Sequence, residues 1–160
     1  MTVGTRPAWL RRVFVWTGRP NRPGNRFTLQ KMIDHVIDTE GPIHEDILSR
    51  RIARHHRWKK AGSKIREYIL SIAQKRRGST REDGRKFYWQ KGTEKERQTQ
   101  VRYENRNDEM KNVEHICEEE LRAIDKVLEL KGDAELLAGK IGLKRLRAPT
   151  RQRLLSVLNG

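Results

Sequence analysis

The chain has 160 residues, 34% of them hydrophobic and 36% charged, with a net charge of +15. Length and composition point to one or two small helical cores with solvated faces, and they exclude a single large core. No apolar run approaches the ~18 residues of a membrane span, AWLRRVFVW is broken by Arg11 and Arg12 and lacks a signal-peptide core, and the single cysteine excludes an internal disulfide, so a cytoplasmic protein without membrane attachment is expected.

Residues 1–26 carry Pro7, Pro20, Pro23, Gly18 and Gly24 and read as an irregular basic arm, with a short strand at Val13–Trp16. Trp9 and Trp16 are expected to pack on the domain. From residue 27 the pattern becomes helical. Leu29, Met32, Ile33, Val36 and Ile37 form one amphipathic stripe, ended by Gly41-Pro42. A second helix is expected to start near Ile43–His44, with Glu45 and Asp46 at its positive end and Ile47, Leu48, Ile52 and Ala53 inward. A basic turn follows, Arg57-Trp58-Lys59-Lys60-Ala61-Gly62. Ser63 is placed to cap a third helix whose core stripe is Ile65, Tyr68, Ile69 and Ile72. Ser79 to Gly84 reads as a polar turn with a hairpin tip at Asp83-Gly84. Arg85 to Gln90 reads as a strand, with Phe87 and Trp89 on one side and Tyr88 on the other.

Three short helices followed by a hairpin is the element order of a winged helix-turn-helix, assigned to residues 27–92. Residues 93–112 show no stripe and read as a polar linker. Residues 113–160 weakly repeat the earlier pattern. Met32–Gly41 lines up with Ala123–Gly132, and after a two-residue shift Ile47, Leu48 and Ile52 fall on Leu136, Leu137 and Ile141. Ile65, Tyr68 and Ile69 fall on Leu154, Val157 and Leu158. The expected architecture is therefore mainly α with a small β-hairpin: a winged helix-turn-helix followed by a second, wingless three-helix unit.

The charge is uneven. Residues 1–100 hold 24 Lys/Arg against 10 Asp/Glu, and residues 101–160 hold 12 against 11. Between Arg50 and Arg77 there are 11 Lys/Arg and one carboxylate, Glu67. Such a concentration suits a polyanionic partner, duplex DNA first among them. In helix-turn-helix proteins the later helix enters the major groove. Its outward arc here would hold Ser63, Glu67, Leu70, Ser71 and Gln74, flanked by Lys64, Arg66 and Lys75. Arg57, Lys59, Lys60, Lys64, Arg66 and Lys75 are candidate phosphate clamps, and Arg81, Arg85 and Lys86 extend them onto the wing. Only Ser63, Gln74 and Arg66 have chemistry suited to reading bases, which implies weak sequence preference.

Catalytic signatures are missing. Asp34 and Asp38 read as surface carboxylates, His115 and Cys117 do not share a helix face, and neither zinc-module spacings nor a phosphate loop occurs. Cys117 fits an apolar stripe with Leu121, Ile124 and Leu128. No catalytic residue, metal or cofactor is expected.

Glu40-Gly41-Pro42-Ile43-His44, Arg51-Ile52-Ala53, Gly62-Ser63-Lys64-Ile65 and Phe87-Tyr88-Trp89 resemble a bacterial domain of unknown function. That domain ends large proteins carrying superfamily-I-type helicase (AAA ATPase) and endonuclease-like segments. Cys117 to Ile124 and Gly142-Leu143-Lys144-Arg145 resemble its second part, so the likeness runs from about Phe27 to the C-terminus. The resemblance implies a DNA-processing or defence setting and a chain that is a piece of a larger ATPase. It transfers no functional residue. The expected function is a non-catalytic DNA-binding accessory module. The alternative is a regulatory module that docks on a helicase or ATPase partner instead of DNA.

Overall fold

A computed structural model describes residues 23–56, 62–93 and 112–160, with side chains from residue 26 onward. The arm up to residue 22, the strand expected at Val13–Trp16, both N-terminal tryptophans and most of the polar linker lie outside the described residues.

Helix α1, Pro23–Glu40, starts three residues before the arm was expected to end. Its proline stands at the first helical position, where a missing N–H costs nothing. All five stripe residues, Leu29, Met32, Ile33, Val36 and Ile37, are buried. Ile43–His44 differs from expectation: it is a two-residue strand, β1, and helix α2 runs over Glu45–His55. The His44 side chain caps α2 by accepting the Asp46 N–H at 3.1 Å, which requires extended backbone at His44. Helix α3, Ser63–Arg76, is also entered differently. Ser63 is its first helical residue and Gly62 its cap, without a side-chain bond.

Strands β2, Ser79–Glu82, and β3, Arg85–Tyr88, form a hairpin. Ser79–Glu82, read as turn from its polarity, pairs fully with β3, and only Asp83-Gly84 turns. Both turn residues have positive φ, 47° and 78°, as a two-residue hairpin loop with the twist of its strands requires. β3 is central in a three-stranded antiparallel sheet ordered β1-β3-β2.

A short 3-10 turn, Val113–His115, leads into α4, Glu118–Val127, α5, Ala134–Lys140, and α6, Ala148–Asn159. No strand accompanies these helices among the described residues. The molecule is thus mainly helical with one small sheet, and no described helix is long and apolar enough to cross a membrane.

Two apolar clusters form the cores. The first gathers α1, α2, α3, Ile43 and Tyr88; the second gathers Val113, Ile116, α4, α5 and α6. A third cluster of Phe87, Trp89 and Cys117 sits between them. Cys117 caps α4 and packs on the hairpin aromatics, not on the expected stripe with Leu121 and Ile124.

The sheet register explains the arrangement. Ile43 pairs with Tyr88, and both enter the first core. His44 pairs with Phe87 on the opposite face, where the rings meet edge-on at 5.2 Å and His44 lies 4.7 Å from the His115 ring. The expected alternation of Phe87 and Trp89 against Tyr88 holds, but neither face is free. One face adds Ile43 and Tyr88 to the first core, and the other meets His115, Cys117 and the start of α4.

Candidate nucleic-acid interface

The two-sided sheet divides the candidate cations. On one face of the hairpin Arg81 pairs across from Lys86; on the other Glu82 pairs across from Arg85. The first face adjoins α3, since Lys86 Nζ donates to Gln74 Oε1 and lies 5.6 Å from the centre of the Tyr88 ring. On α3 itself Ser63, Lys64, Glu67, Ser71, Gln74 and Lys75 are exposed. Lys64, Ser71 and Lys75 recur at spacings of seven and four, so they line one side of the helix. The structure therefore leaves Ser63, Lys64, Gln74 and Lys75 exposed along α3 and joins its Gln74 end to the hairpin face of Lys86 and Arg81.

Other candidates have structural partners. Arg66 donates to Asp46 Oδ1 at 2.6 Å and lies 3.5 Å from Glu45, tying α3 to the start of α2. Arg85 lies on the far face, 3.3 Å from Asp83 and 3.5 Å from Glu114. Leu70, expected outward, is half-buried against the first core, and its carbonyl accepts from the Tyr88 hydroxyl at 3.4 Å. Arg57, Lys59 and Lys60 lie outside the described residues.

Ion pairs take up further cations of the basic stretch. Arg51 Nε donates to Glu40 at 3.0 Å. Arg76 makes a two-nitrogen contact with Asp34, and Arg77, only 8% exposed, reaches Asp34 at 3.0 Å and Asp38 at 2.7 Å. Asp34 and Asp38 thus clamp α1 to the end of α3; they are more than solvated surface carboxylates. A carboxylate on an adjacent helix removes these guanidiniums from the pool open to phosphate. Lys64, Lys75 and Arg81 are exposed and have no ion-pair partner among the described residues.

Sequence spacing did not bring together the groups around His44. Ligand atoms of His44, Asp46 and His115 lie within 4.8 Å of one another. Burial lowers the pKa of both imidazoles, that of His44 to about 4, with the neighbouring His115 as the next cause. The donor set fits a cation poorly. His44 Nδ1 is occupied by the Asp46 N–H, the Asp46 carboxylate is held by Arg66, and Arg50, Arg66 and Arg85 add positive potential. The trio is a partly buried polar seam between the two helical triplets, with both imidazoles neutral and the carboxylate paired with Arg66.

A second polar group lies at the same seam. Glu82 Oε2 accepts the Glu118 N–H at 2.9 Å and stands 3.8 Å from Arg153. Arg153 donates to the carbonyl oxygens of Val113 and Ile116, the latter at 3.0 Å. Burial pushes the Glu82 carboxyl up to about 7 and raises the Cys117 thiol well above its usual range, so that thiol is inert at neutral pH.

A mainly helical protein with a small three-stranded antiparallel sheet is the class these observations define. Residues 21–67, spanning α1, β1, α2 and the start of α3, match the model of a family described as Protein of unknown function (DUF3320). No curated protein and no solved structure matches the chain significantly.

Proposed function

We propose that the chain is a non-catalytic nucleic-acid-binding module that holds duplex DNA through its phosphate backbone with weak sequence preference. The observation carrying this reading is the surface shared by α3 and the hairpin. Lys64 and Lys75 stand on one side of the helix, and Arg81 and Lys86 on the hairpin face that adjoins it at Gln74. Lys and Arg contacts of this kind position a duplex without reading it. Ser63 and Gln74 are the groups on that surface suited to base edges, too few for a sequence-specific repressor.

The resemblance to a domain ending helicase-type proteins supplies the setting: an accessory module within, or beside, a DNA-processing or defence ATPase in a bacterial cytoplasm. Docking on that ATPase instead of DNA is the competing reading.

A salt-titrated mobility-shift assay with a mixed-sequence duplex tests it. Binding should weaken steeply with salt, because each phosphate contact releases counterions with a slope near ~0.9 per contact. Changing Lys64, Lys75 and Arg81 together to Gln should lower that slope by about 3. Arg85→Gln should leave it unchanged, since Arg85 faces the other triplet. Absence of binding at low salt, or an unchanged slope in the triple variant, refutes the reading.

A further inference from the structure

We propose that the chain carries a second nucleic-acid contact surface, formed by α6 and the turn before it, with α6 in the place that α3 holds in the first triplet. The proposal rests on the nucleic-acid reading above.

The equivalence is positional. In each triplet seven residues separate the second helix from the third, 56–62 in one and 141–147 in the other. In each, an ion pair joins the second residue of the second helix to the fourth residue of the third. These pairs are Asp46 with Arg66 and Glu135 with Arg151. The pairs fix a register for the third helices one turn away from the apolar match made on sequence. Ile69, Ile72 and Ala73 now correspond to Leu154, Val157 and Leu158, which pack in the two cores.

In that register the outward faces correspond as well. The fifth, ninth and twelfth positions are Glu67, Ser71 and Gln74 on α3. On α6 they are Gln152, Ser156 and Asn159, and all six are exposed. Two helices held in one register by packing need not share outward residues, because solvent-facing positions tolerate most substitutions. Correspondence on the outward face therefore points to a shared contact.

Charge points to the chemistry of that contact. The turn before α6 presents Lys144, Arg145 and Arg147 to solvent, with Lys140 just ahead, while Leu143 and Leu146 pack on the second core. No carboxylate occurs between Lys140 and Arg151, and none pairs with these four cations among the described residues. The sequence between α2 and α3 holds Arg57, Lys59 and Lys60, which lie outside the described residues. Phosphodiester oxygens are the complementary ligand, with Gln152, Ser156 and Asn159 as neutral donors beside them. The second surface meets the backbone with one carboxylate fewer than the first, since Gln152 stands where Glu67 does.

The test uses the full chain and a mixed-sequence duplex several helical turns long, with binding measured across a salt series. Changing Lys144, Arg145 and Arg147 together to Gln should weaken low-salt binding by roughly tenfold or more and lower the salt slope by about 3. The Lys64/Lys75/Arg81 set should do the same independently, and the combined variant should show both losses. Circular dichroism melts matching the wild type would show the exposed changes leave folding intact. Binding and slope unchanged in the 144/145/147 variant, while the 64/75/81 variant is impaired, overturns the second surface and leaves the first. Failure of the wild type to bind at low salt overturns the nucleic-acid reading itself, and this inference with it.

Discussion

Replacing Glu82 by Gln probes the packing of the hairpin on the second triplet through a single group. Glu82 Oε2 has the Glu118 N–H and the distant guanidinium of Arg153, whereas Oε1 is buried with no hydrogen-bond partner among the described residues. Burial outweighs both partners and moves the carboxyl from 4.5 to about 7. The folded protein therefore holds this proton between pH 4.5 and 7, where the unfolded chain releases it. The stabilising contribution is complete below pH 4.5 and is lost as pH rises through 7. The interval between the two values is worth at most about 3 kcal/mol, and residual hydration brings the expected effect to about 1–3 kcal/mol. Gln keeps an acceptor for the Glu118 N–H and never ionises. Denaturant unfolding of both proteins from pH 4.5 to 8.5 should show nearly equal stability at the acid end. The variant should gain about 1–3 kcal/mol over wild type by pH 8. The imidazoles of His44, His56 and His115 titrate in both proteins and cancel in the difference. A variant that loses ground as pH rises would refute the reasoning, because the Arg153 ion pair would then outweigh burial.

Two further outcomes follow from the same seam and from the hairpin tip. Phe87→Ala empties a fully buried site between the triplets and should cost about 3–5 kcal/mol in denaturant unfolding. It should also quicken reaction of Cys117 with a thiol reagent under native conditions, since that sulfur loses its cover. Gly84→Ala meets no atom within 4 Å, so its cost is conformational, about 1–2 kcal/mol for a side chain forced to φ 78°. Thermal melting should register that loss with DNA binding retained.

What the sequence made legible was local. The stripe of α1 follows from a period of 3.6 residues and needs no knowledge of the partner. Asp83-Gly84 announces itself because few residues tolerate positive φ in succession. The exposed cations Lys64 and Lys75 followed from helix phase alone, whereas Arg81 was placed in a turn and stands on a strand. What sequence missed depends on distant chain segments. β1 is two residues long and exists because β3 pairs with it. Arg66 and Arg85 looked like phosphate clamps until Asp46 and Glu114 came within reach. Ser63 has capping chemistry, but the chain turns into the helix one residue earlier, at Gly62. The weak repeat was read from apolar periodicity, which cannot tell one turn of a helix from the next; the proposed register rests on the ion pairs Asp46–Arg66 and Glu135–Arg151.

β3 is the element whose placement reaches furthest. Its Tyr88 completes one core, while Phe87, one residue earlier, faces the helices that follow. Composition divides the chain near residue 93 and each half has its own core, yet the cluster of Phe87, Trp89 and Cys117 crosses that division. Each triplet behaves toward the other as a bound ligand does, adding to its stability only while docked. Phe87 and His44 thus place the strand against Cys117 and His115, so the hairpin is part of the wall that the following helices rest on.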